Sequence, residues 1–199
     1  MMWTRSKNRQ GGKGWRVLRL AAVAVLGAIV VFPAGASANQ LGENDAAAPV
    51  VFEGNVIDLT SDWGDAEACL VWRDVGVAEC FRNEAGMDTR IAELERQLEL
   101  QGGGAARTSQ CSGYLRLYDG SYHTGQVLYM RDRLQWINLS AYGFSNRTSS
   151  FKIGACSSYL ADYDWGGGSW YSTSATQAWD VVYVMASGWS NRVSSVYIR

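Results

Sequence analysis

The alternation of apolar and polar residues in residues 111–199 is that of a β protein. Short runs rich in Tyr, Trp, Val and Ile recur there, and Gly or Ser separates them about every 8–12 positions, as in short strands joined by turns. The predicted strands are 114–118, 127–130, 136–139 and 150–153, then 159–163, 170–173, 180–184 and 195–198. Four strands in each half predict paired Greek keys that form a β-sandwich.

The two halves are copies of one another. Residues 114–153 match residues 159–198 without a gap at an offset of 45, and the match is closest where GFSNRTSS at 143–150 falls on GWSNRVSS at 188–195. The same register places Tyr114, Leu115, Tyr118 and Asp119 on Tyr159, Leu160, Tyr163 and Asp164. Similarity at one fixed register indicates a duplicated structural unit.

Four cysteines predict two disulfides, because an even number is typical of structural bridges in proteins of oxidising compartments, and the N-terminus described next directs the chain there. Cys69 and Cys80 lie in two apolar runs on either side of a Gly-containing turn, so a bridge between them would staple a hairpin. Cys111 and Cys156 occupy the same position in the two copies. Equivalent positions can meet at a pseudo-two-fold axis, which makes a Cys111–Cys156 bridge reasonable.

The N-terminus has the composition of a secretory signal peptide. Residues 1–38 carry six basic and no acidic side chains, an apolar run from Leu20 to Phe32, and a small-residue cleavage sequence that ends at Ala38. The apolar run is short for a membrane span, so an anchor is the less favoured alternative. We therefore expect secretion to the extracellular space, with no stable membrane insertion after cleavage.

Charge divides the rest of the chain at a glycine-rich stretch. Residues 39–110 hold 14 acidic and five basic side chains, whereas residues 111–199 hold five acidic and seven basic ones. We predict an acidic, largely disordered segment at 39–66, a hairpin, helix and glycine linker at 67–110, and the double Greek-key domain at 111–199. Because residues 111–199 have only a small excess of basic over acidic side chains, we do not expect nucleic acid as a partner.

An amphipathic helix is predicted between the hairpin and the glycines. Its apolar stripe is Met87, Ile91, Leu94 and Leu98, at spacings of four, three and four. Such a helix either docks on its own domain or binds a partner or a second copy.

The doubled motif, each copy of which closes with Ser-Asn-Arg-x-Ser-Ser before its last strand, resembles the βγ-crystallin superfamily. Residues 136–150 are similar to the bacterial secreted peptidase-inhibitor branch, which includes inhibitors of thermolysin-type metalloproteinases. The resemblance implies an all-β, βγ-crystallin-like double Greek-key sandwich, here preceded by a disulfide-stapled hairpin and one amphipathic helix. It also implies that the partner is an extracellular protease, most simply a metalloproteinase.

Enzyme activity has little support in the sequence. The single histidine, His123, excludes sites that need two imidazoles, and no nucleophile elbow or phosphate-binding loop occurs. Residues 118–125 and 165–169 are candidate inhibitory loops because they are polar and rich in glycine, although ordinary folded hairpins are the alternative. A competing function is glycan or cell-surface binding by flat aromatic faces, unless these tryptophans are core residues: Trp165, Trp170, Trp179 and Trp189.

The resemblance further implies a calcium site in each closing motif. The family pattern has two Asn or Asp positions, two variable positions, then Ser or Thr, then Ser, and its first position is Ser145 or Ser190 in this chain. The candidate ligands of Ca²⁺ are Asn146, Arg147 and Ser149 with Asn191, Arg192 and Ser194, the arginines through their carbonyls. Without a carboxylate, affinity would be weak, about 10⁻⁴–10⁻³ M. The alternative is that these serines lock the turns by hydrogen bonds.

Overall fold

Eleven short strands and one α-helix build the part of the chain that the structure, a computed structural model, describes: residues 49–101 and 111–199. The predicted signal peptide lies outside these residues. None of the described helices is long and apolar enough to cross a bilayer. The elements are β1 Val50–Phe52, β2 Asn55–Ile57, β3 Ala68–Trp72, β4 Val77–Phe81, α1 Glu84–Leu100, β5 Leu115–Tyr118, β6 Val127–Met130, β7 Trp136–Asn138, β8 Ser150–Ile153, β9 Ser158–Ala161, β10 Val181–Val182 and β11 Ser195–Ile198.

Each repeat gives one strand to the sheet of the other repeat. From the first repeat, β7 pairs antiparallel with β11, and Asn138 lies opposite Ser195. From the second, β10 pairs antiparallel with β8, and Val182 lies opposite Phe151. The resulting sheets contain the orders β10-β8-β5-β6 and β7-β11-β9. Neither repeat completes its sheet alone, so the predicted all-β double Greek key is confirmed.

The ungapped register of the repeats holds for their second halves and not for their first. Tyr118 lies opposite Ser150 in one sheet, and Ala161 lies opposite Ser195 in the other. Since Ser150 and Ser195 are equivalent, Tyr118 corresponds to Ala161 and not to Tyr163. The second repeat therefore has two additional residues before β10, and the similar Tyr and Leu residues of the first strands aligned out of register.

The same correction applies to the repeated aspartate. Asp119 accepts a hydrogen bond from the backbone N–H of Gln126 (2.8 Å), and Asp162 accepts one from that of Ser169 (2.6 Å). Both aspartates close a turn of the same length at the same position of the fold. The structural counterpart of Asp119 is therefore Asp162, not Asp164.

The hairpin of β3 and β4, which we call the leader hairpin, is part of the larger, eight-stranded sheet. β3 pairs antiparallel with β4, β4 pairs in parallel with β1, and β3 pairs in parallel with β6 of the first repeat, with Ala68 opposite Val127. The full order is β10-β8-β5-β6-β3-β4-β1-β2. The predicted boundary between 67–110 and 111–199 is therefore not a boundary in the fold, since one sheet runs across it.

Both predicted disulfides are present. Cys69 and Cys80 lie opposite each other in the leader hairpin and are bonded, and Cys111 is bonded to Cys156 between the repeats. The first bridge ties two neighbouring strands. The second ties the start of the first repeat to the segment that leads into β9.

The predicted disorder of residues 39–66 is wrong for residues 49–66. Leu59 and Trp63 are buried in the main core, and the Trp63 indole N–H donates to the carbonyl of Tyr142 over 2.9 Å. The apolar residues here fall into two short runs, Val50–Phe52 and Val56–Ile57, and single residues such as Leu59 and Trp63, so they form no long periodic pattern. They are ordered because the rest of the fold provides a surface for them.

Helix α1 docks on its own domain. Asn83 caps its start by accepting a hydrogen bond from the backbone N–H of Gly86 (2.9 Å). The predicted stripe packs against the outer face of the larger sheet, where Met87, Ile91 and Leu94 are buried. The sheet residues in this cluster include Leu70, Trp72, Val127 and Tyr129.

We expect Met87→Ala to lower the free energy of unfolding by about 2–5 kcal/mol, because Met87 is fully buried between α1 and the sheet. The matched control is Arg96→Ala on the exposed side of the same helix, which should change stability by about 0.5 kcal/mol or less. Urea unfolding of the oxidised protein measures both. Equal effects of the two substitutions would contradict the docking of α1.

Candidate functional site

The predicted calcium ligands lie in two loops that bond to each other across the pseudo-two-fold axis. The Ser194 hydroxyl donates to the amide oxygen of Asn146 (3.2 Å), and the Ser149 hydroxyl donates to the amide oxygen of Asn191 (3.1 Å). Both asparagines adopt left-handed backbone conformations, with φ of 58° and 59°. Asn tolerates this conformation better than most residues. The structure thus brings four of the six predicted side chains into one reciprocal arrangement.

The two arginines point instead to the folded hairpin of their own repeat. The Arg147 guanidinium donates to Asp119 (2.7 Å) and to the carbonyl of Gly143 (3.1 Å). Arg192 donates in the same way to Asp162 (2.5 Å). Desolvation is the largest single effect on the pKa of Asp162 and raises it, but the hydrogen bonds from Arg192 and Ser169 and the charge of Arg192 together lower it by more, so the pKa lies below its ordinary value.

This donor set fits a hydrogen-bonded lock better than a calcium site. The amide oxygens of Asn146 and Asn191 already accept serine protons, and the hairpin carboxylates Asp119 and Asp162 are paired with arginines. Within residues 49–101 and 111–199, no three His, Cys, Asp or Glu side chains are grouped to hold a metal ion. Calcium binding stays a prediction, and the two loops stabilise each other without it.

The first candidate inhibitory loop, residues 118–125, is a closed hairpin. Tyr122 and His123 have φ of 58° and 59°, and the Gly120 N–H donates to the carbonyl of Thr124 (3.0 Å). The Ser150 hydroxyl donates to the carbonyl of Gly120 (2.6 Å) and accepts from the N–H of His123 (3.0 Å). Ser150, part of the repeated motif, therefore fastens the hairpin.

The second candidate loop, residues 165–169, is built in the same way. Trp165 has a φ of 57°, the Tyr163 N–H donates to Gly167 (3.2 Å), and the Ser195 hydroxyl donates to the carbonyl of Tyr163 (2.6 Å). Both loops are folded back on themselves. A peptidase binds an extended substrate-like chain, so these hairpins do not have the required backbone shape.

A different segment was missed by sequence reasoning. Residues 179–184, called the edge segment below, contain β10, the outermost strand of the larger sheet. The side chains of Trp179, Val181 and Tyr183 are 65%, 46% and 58% exposed. The sequence predicts a strand here, but it does not show which sheet the strand joins. Its place at the edge follows from pairing with β8 of the first repeat. Its only local sign is an apolar run with a single acidic residue, Asp180.

The edge segment is fixed to the sheet at both ends. At its start, the Ile153 N–H donates to the carbonyl of Asp180 (2.9 Å), and at its end, the Met185 N–H donates to the carbonyl of Ser149 (3.0 Å). Bonds in an antiparallel pair alternate along the strand, so the N–H and C=O groups of Val181 point away from β8. The segment is a rigid strand edge with exposed apolar side chains.

Four aromatic rings form a second exposed feature on the outer face of the three-stranded sheet, called the aromatic platform below. The centroid of Trp170 lies 5.4 Å from that of Trp136 and 5.0 Å from that of Tyr159, and Tyr197 lies 5.5 Å from Trp136. The Trp170 indole donates to the carbonyl of Gly166 (2.7 Å). Contacts among the rings and this bond hold the platform in place.

The four tryptophans predicted as glycan ligands or core residues separate into two groups. Trp165, Trp170 and Trp179 are exposed, whereas Trp189 packs against the main core and contacts the ring of Tyr171. Only Trp170 belongs to the platform, and its partners there were not singled out by the sequence. They come from strands of both repeats, which brings them onto one sheet face.

Comparison with known proteins returns no matching family model and no matching curated protein. Solved βγ-crystallin domains are similar to the chain at low identity. A βγ-crystallin from Ciona intestinalis is 17% identical, with 43% of this chain and 99% of that chain covered and a TM-score of 0.37. For a domain from Flavobacterium johnsoniae the values are 20%, 43%, 92% and 0.35, and for one from an archaeon they are 11%, 44%, 99% and 0.34. The strand pairing within this chain establishes the double Greek key independently of these similarities.

We expect 10 mM calcium to leave the melting temperature of the oxidised protein unchanged, because hydrogen bonds already satisfy the loop oxygens. Binding at 100 times the dissociation constant would instead add about 2.7 kcal/mol of stability. Ser194→Ala should cost about 1 kcal/mol with or without calcium, since it removes the bond to Asn146. A calcium-dependent rise that Ser194→Ala abolishes would contradict the lock.

Proposed function

We propose that this chain is a secreted, non-enzymatic inhibitor of an extracellular peptidase and that the peptidase binds its edge segment. The observation that carries the proposal is a strand edge with exposed apolar side chains that is fixed at both ends. Peptide recognition by strand addition uses main-chain bonds for affinity and side-chain pockets for specificity. The outward backbone groups of Val181 and the exposed side chains around it offer both.

Rigidity supports inhibition in particular. An inhibitor that is already held in its bound shape loses little conformational entropy on binding, so more of the contact energy is kept as affinity. The bonds from Ile153 and to Ser149 hold the segment against β8, and the Tyr122 N–H donates to the carbonyl of Tyr183 over 2.6 Å. These anchors lie on the first repeat, so a cut in the segment would not release it freely.

The class of target and the place of action come from the sequence. The resemblance of residues 136–150 to a peptidase-inhibitor branch favours a metalloproteinase of the thermolysin type. Two disulfides suit the oxidising compartment that the signal peptide implies. The mild charge of residues 111–199 gives no reason to expect a nucleic-acid partner.

We expect Val181→Lys to raise the inhibition constant at least about tenfold against any secreted peptidase that the wild type inhibits, because a charge would replace an apolar contact at the strand edge. The matched control is Val56→Lys, on β2 at the opposite edge of the same sheet, where the side chain is 70% exposed. A panel of secreted peptidases that includes thermolysin-type enzymes measures both variants. Equal constants for the two variants, or no inhibition by the wild type, would contradict the proposal.

Binding of a neutral glycan is the second candidate, and the aromatic platform favours it. Sugar rings stack on flat aromatic faces, and a fixed set of rings on an open sheet face loses little entropy on binding. The corresponding face of the first repeat is closed by α1, where Arg116, the counterpart of Tyr159, donates to Asp88 over 2.7 Å. No described residue covers the platform, whereas α1 covers the corresponding face of the first repeat.

We expect Trp170→Ala to abolish any retardation of the protein in gels that contain neutral polysaccharide, because it removes the central ring of the platform. Trp179→Ala is the control, since Trp179 is also an exposed tryptophan but lies on the edge segment. The glycan function would be excluded if the wild type migrates equally in gels with and without each polysaccharide. It would also be excluded by equal loss of retardation in both variants.

A further inference from the structure

The chain's single histidine lies under the edge segment. The His123 ring is clamped between two tyrosine rings, with centroids 5.0 Å from Tyr118 and 4.8 Å from Tyr183. Tyr183 belongs to the edge segment, and its carbonyl accepts from the N–H of Tyr122, the neighbour of His123. The hairpin and the edge segment therefore touch through both a ring contact and a backbone hydrogen bond.

The backbone at His123 is left-handed, a conformation that is uncommon for residues other than glycine. Its φ is 59°, and the equivalent position in the second repeat is Gly166, with a φ of 75°. Glycine adopts this conformation at little cost, whereas a residue with a Cβ is strained there. A strained residue at a position that the other copy fills with glycine suggests that the imidazole itself is needed.

The surroundings of the imidazole favour its neutral form. Its Nε2 atom is buried without a hydrogen-bond partner among the described residues. Burial lowers the pKa of His123, and the charge of Lys152 on β8 lowers it further, against weaker opposing effects of the Phe151 and Val182 backbone and of Glu84 on α1. A proton on Nε2 would create a buried donor with no well-placed acceptor among the described residues.

Two other ionisable groups at this site, Glu84 and Tyr118, do not change charge in the same range. Burial is the largest single effect on the pKa of Glu84 and raises it, but the hydrogen bonds from Tyr118 and Arg116 and the charges of Arg116 and Lys152 together lower it by more, so Glu84 is negative at neutral pH. Burial and the bond to Glu84 raise the pKa of Tyr118, which stays neutral. Lys152 lies with its amine 5.1 Å from the centroid of the Tyr118 ring.

We infer that His123 is an acid-sensitive catch that holds the edge segment on the hairpin when neutral and loosens it when protonated. The consequence for inhibition rests on the proposed function, but the loosening itself does not. The folded pKa lies below the unfolded value of about 6.5, so the segment is fully held above that value. As pH falls from the unfolded pKa to the folded pKa, the equilibrium constant for opening the edge segment rises by up to about tenfold per pH unit.

The test follows the imidazole and the edge segment separately by NMR on the oxidised protein. With one histidine in the chain, its ring signals report the His123 titration without ambiguity. We expect the exchange protection factor of the Tyr122 amide, which bonds to Tyr183, to fall in the same pH window. The Tyr122 amide should exchange through an opening of lower free energy than the Arg116 amide, which lies in the centre of the larger sheet and exchanges through global unfolding.

Two variants make the result decisive. His123→Gln should remove the pH dependence of Tyr122 protection, and Lys152→Gln should move the midpoint to higher pH, because it removes the neighbouring positive charge. Tyr122 protection that does not follow the His123 titration, or that keeps its pH dependence in His123→Gln, would overturn the inference. If the catch is present and no peptidase is inhibited at any pH, the proposed function fails and the catch stands.

Discussion

The parallel pairing of β3 with β6 is the interaction on which the rest of the structure depends. It is continued at both ends, where the Val127 N–H donates to Glu67 (2.8 Å) and the Arg131 N–H donates to Val71 (3.2 Å). Through it, the leader hairpin of β3 and β4, together with β1 and β2, adds four strands to the sheet that the first repeat begins. A two-stranded hairpin is marginal by itself, and this pairing gives it a sheet to extend and a core to cover.

This attachment makes the two repeats unequal. On the larger sheet, α1 follows directly from β4 and covers the outer face, where Arg116 and Tyr118 bond to its acidic first turn at Glu84. The three-stranded sheet receives no such cover from the described residues, so Trp170 is exposed and the neighbouring rings of the platform are only half-buried. The leader also extends the sheet on one side only, which leaves β10 as the other edge. The exposure of the edge segment and of the aromatic platform thus follows from the side on which residues 49–101 join the sheet.

The sequence predicted the features that depend on local pattern and failed where long-range pairing decides. The stripe of α1, both disulfides and seven of the eight strands predicted in residues 111–199 are present, whereas the strand predicted at 170–173 is reduced to a single bridge between Ala161 and Trp170. The Cys111–Cys156 bridge was predicted from the ungapped register, although in the corrected register Cys111 falls on Gly154. The register of the first strands was wrong by two residues because Tyr118 and Tyr163 are the same residue type, although Tyr118 pairs with Ser150 in the sheet and Tyr163 lies beyond the end of β9. The order at Leu59 and Trp63 and the edge position of β10 were missed because each depends on distant strands.

Amide exchange across the β3–β6 pairing tests the central claim most directly. If the leader and the first repeat form one sheet, the amides of Val127 and Arg131 should exchange only through global unfolding, with the same free energy as amides of β5 and β8. That free energy should fall equally for all of them as urea is added. Exchange of Val127 and Arg131 through a separate, low-energy opening, while β5 and β8 stay protected, would show that the leader is an independent unit and would contradict the account.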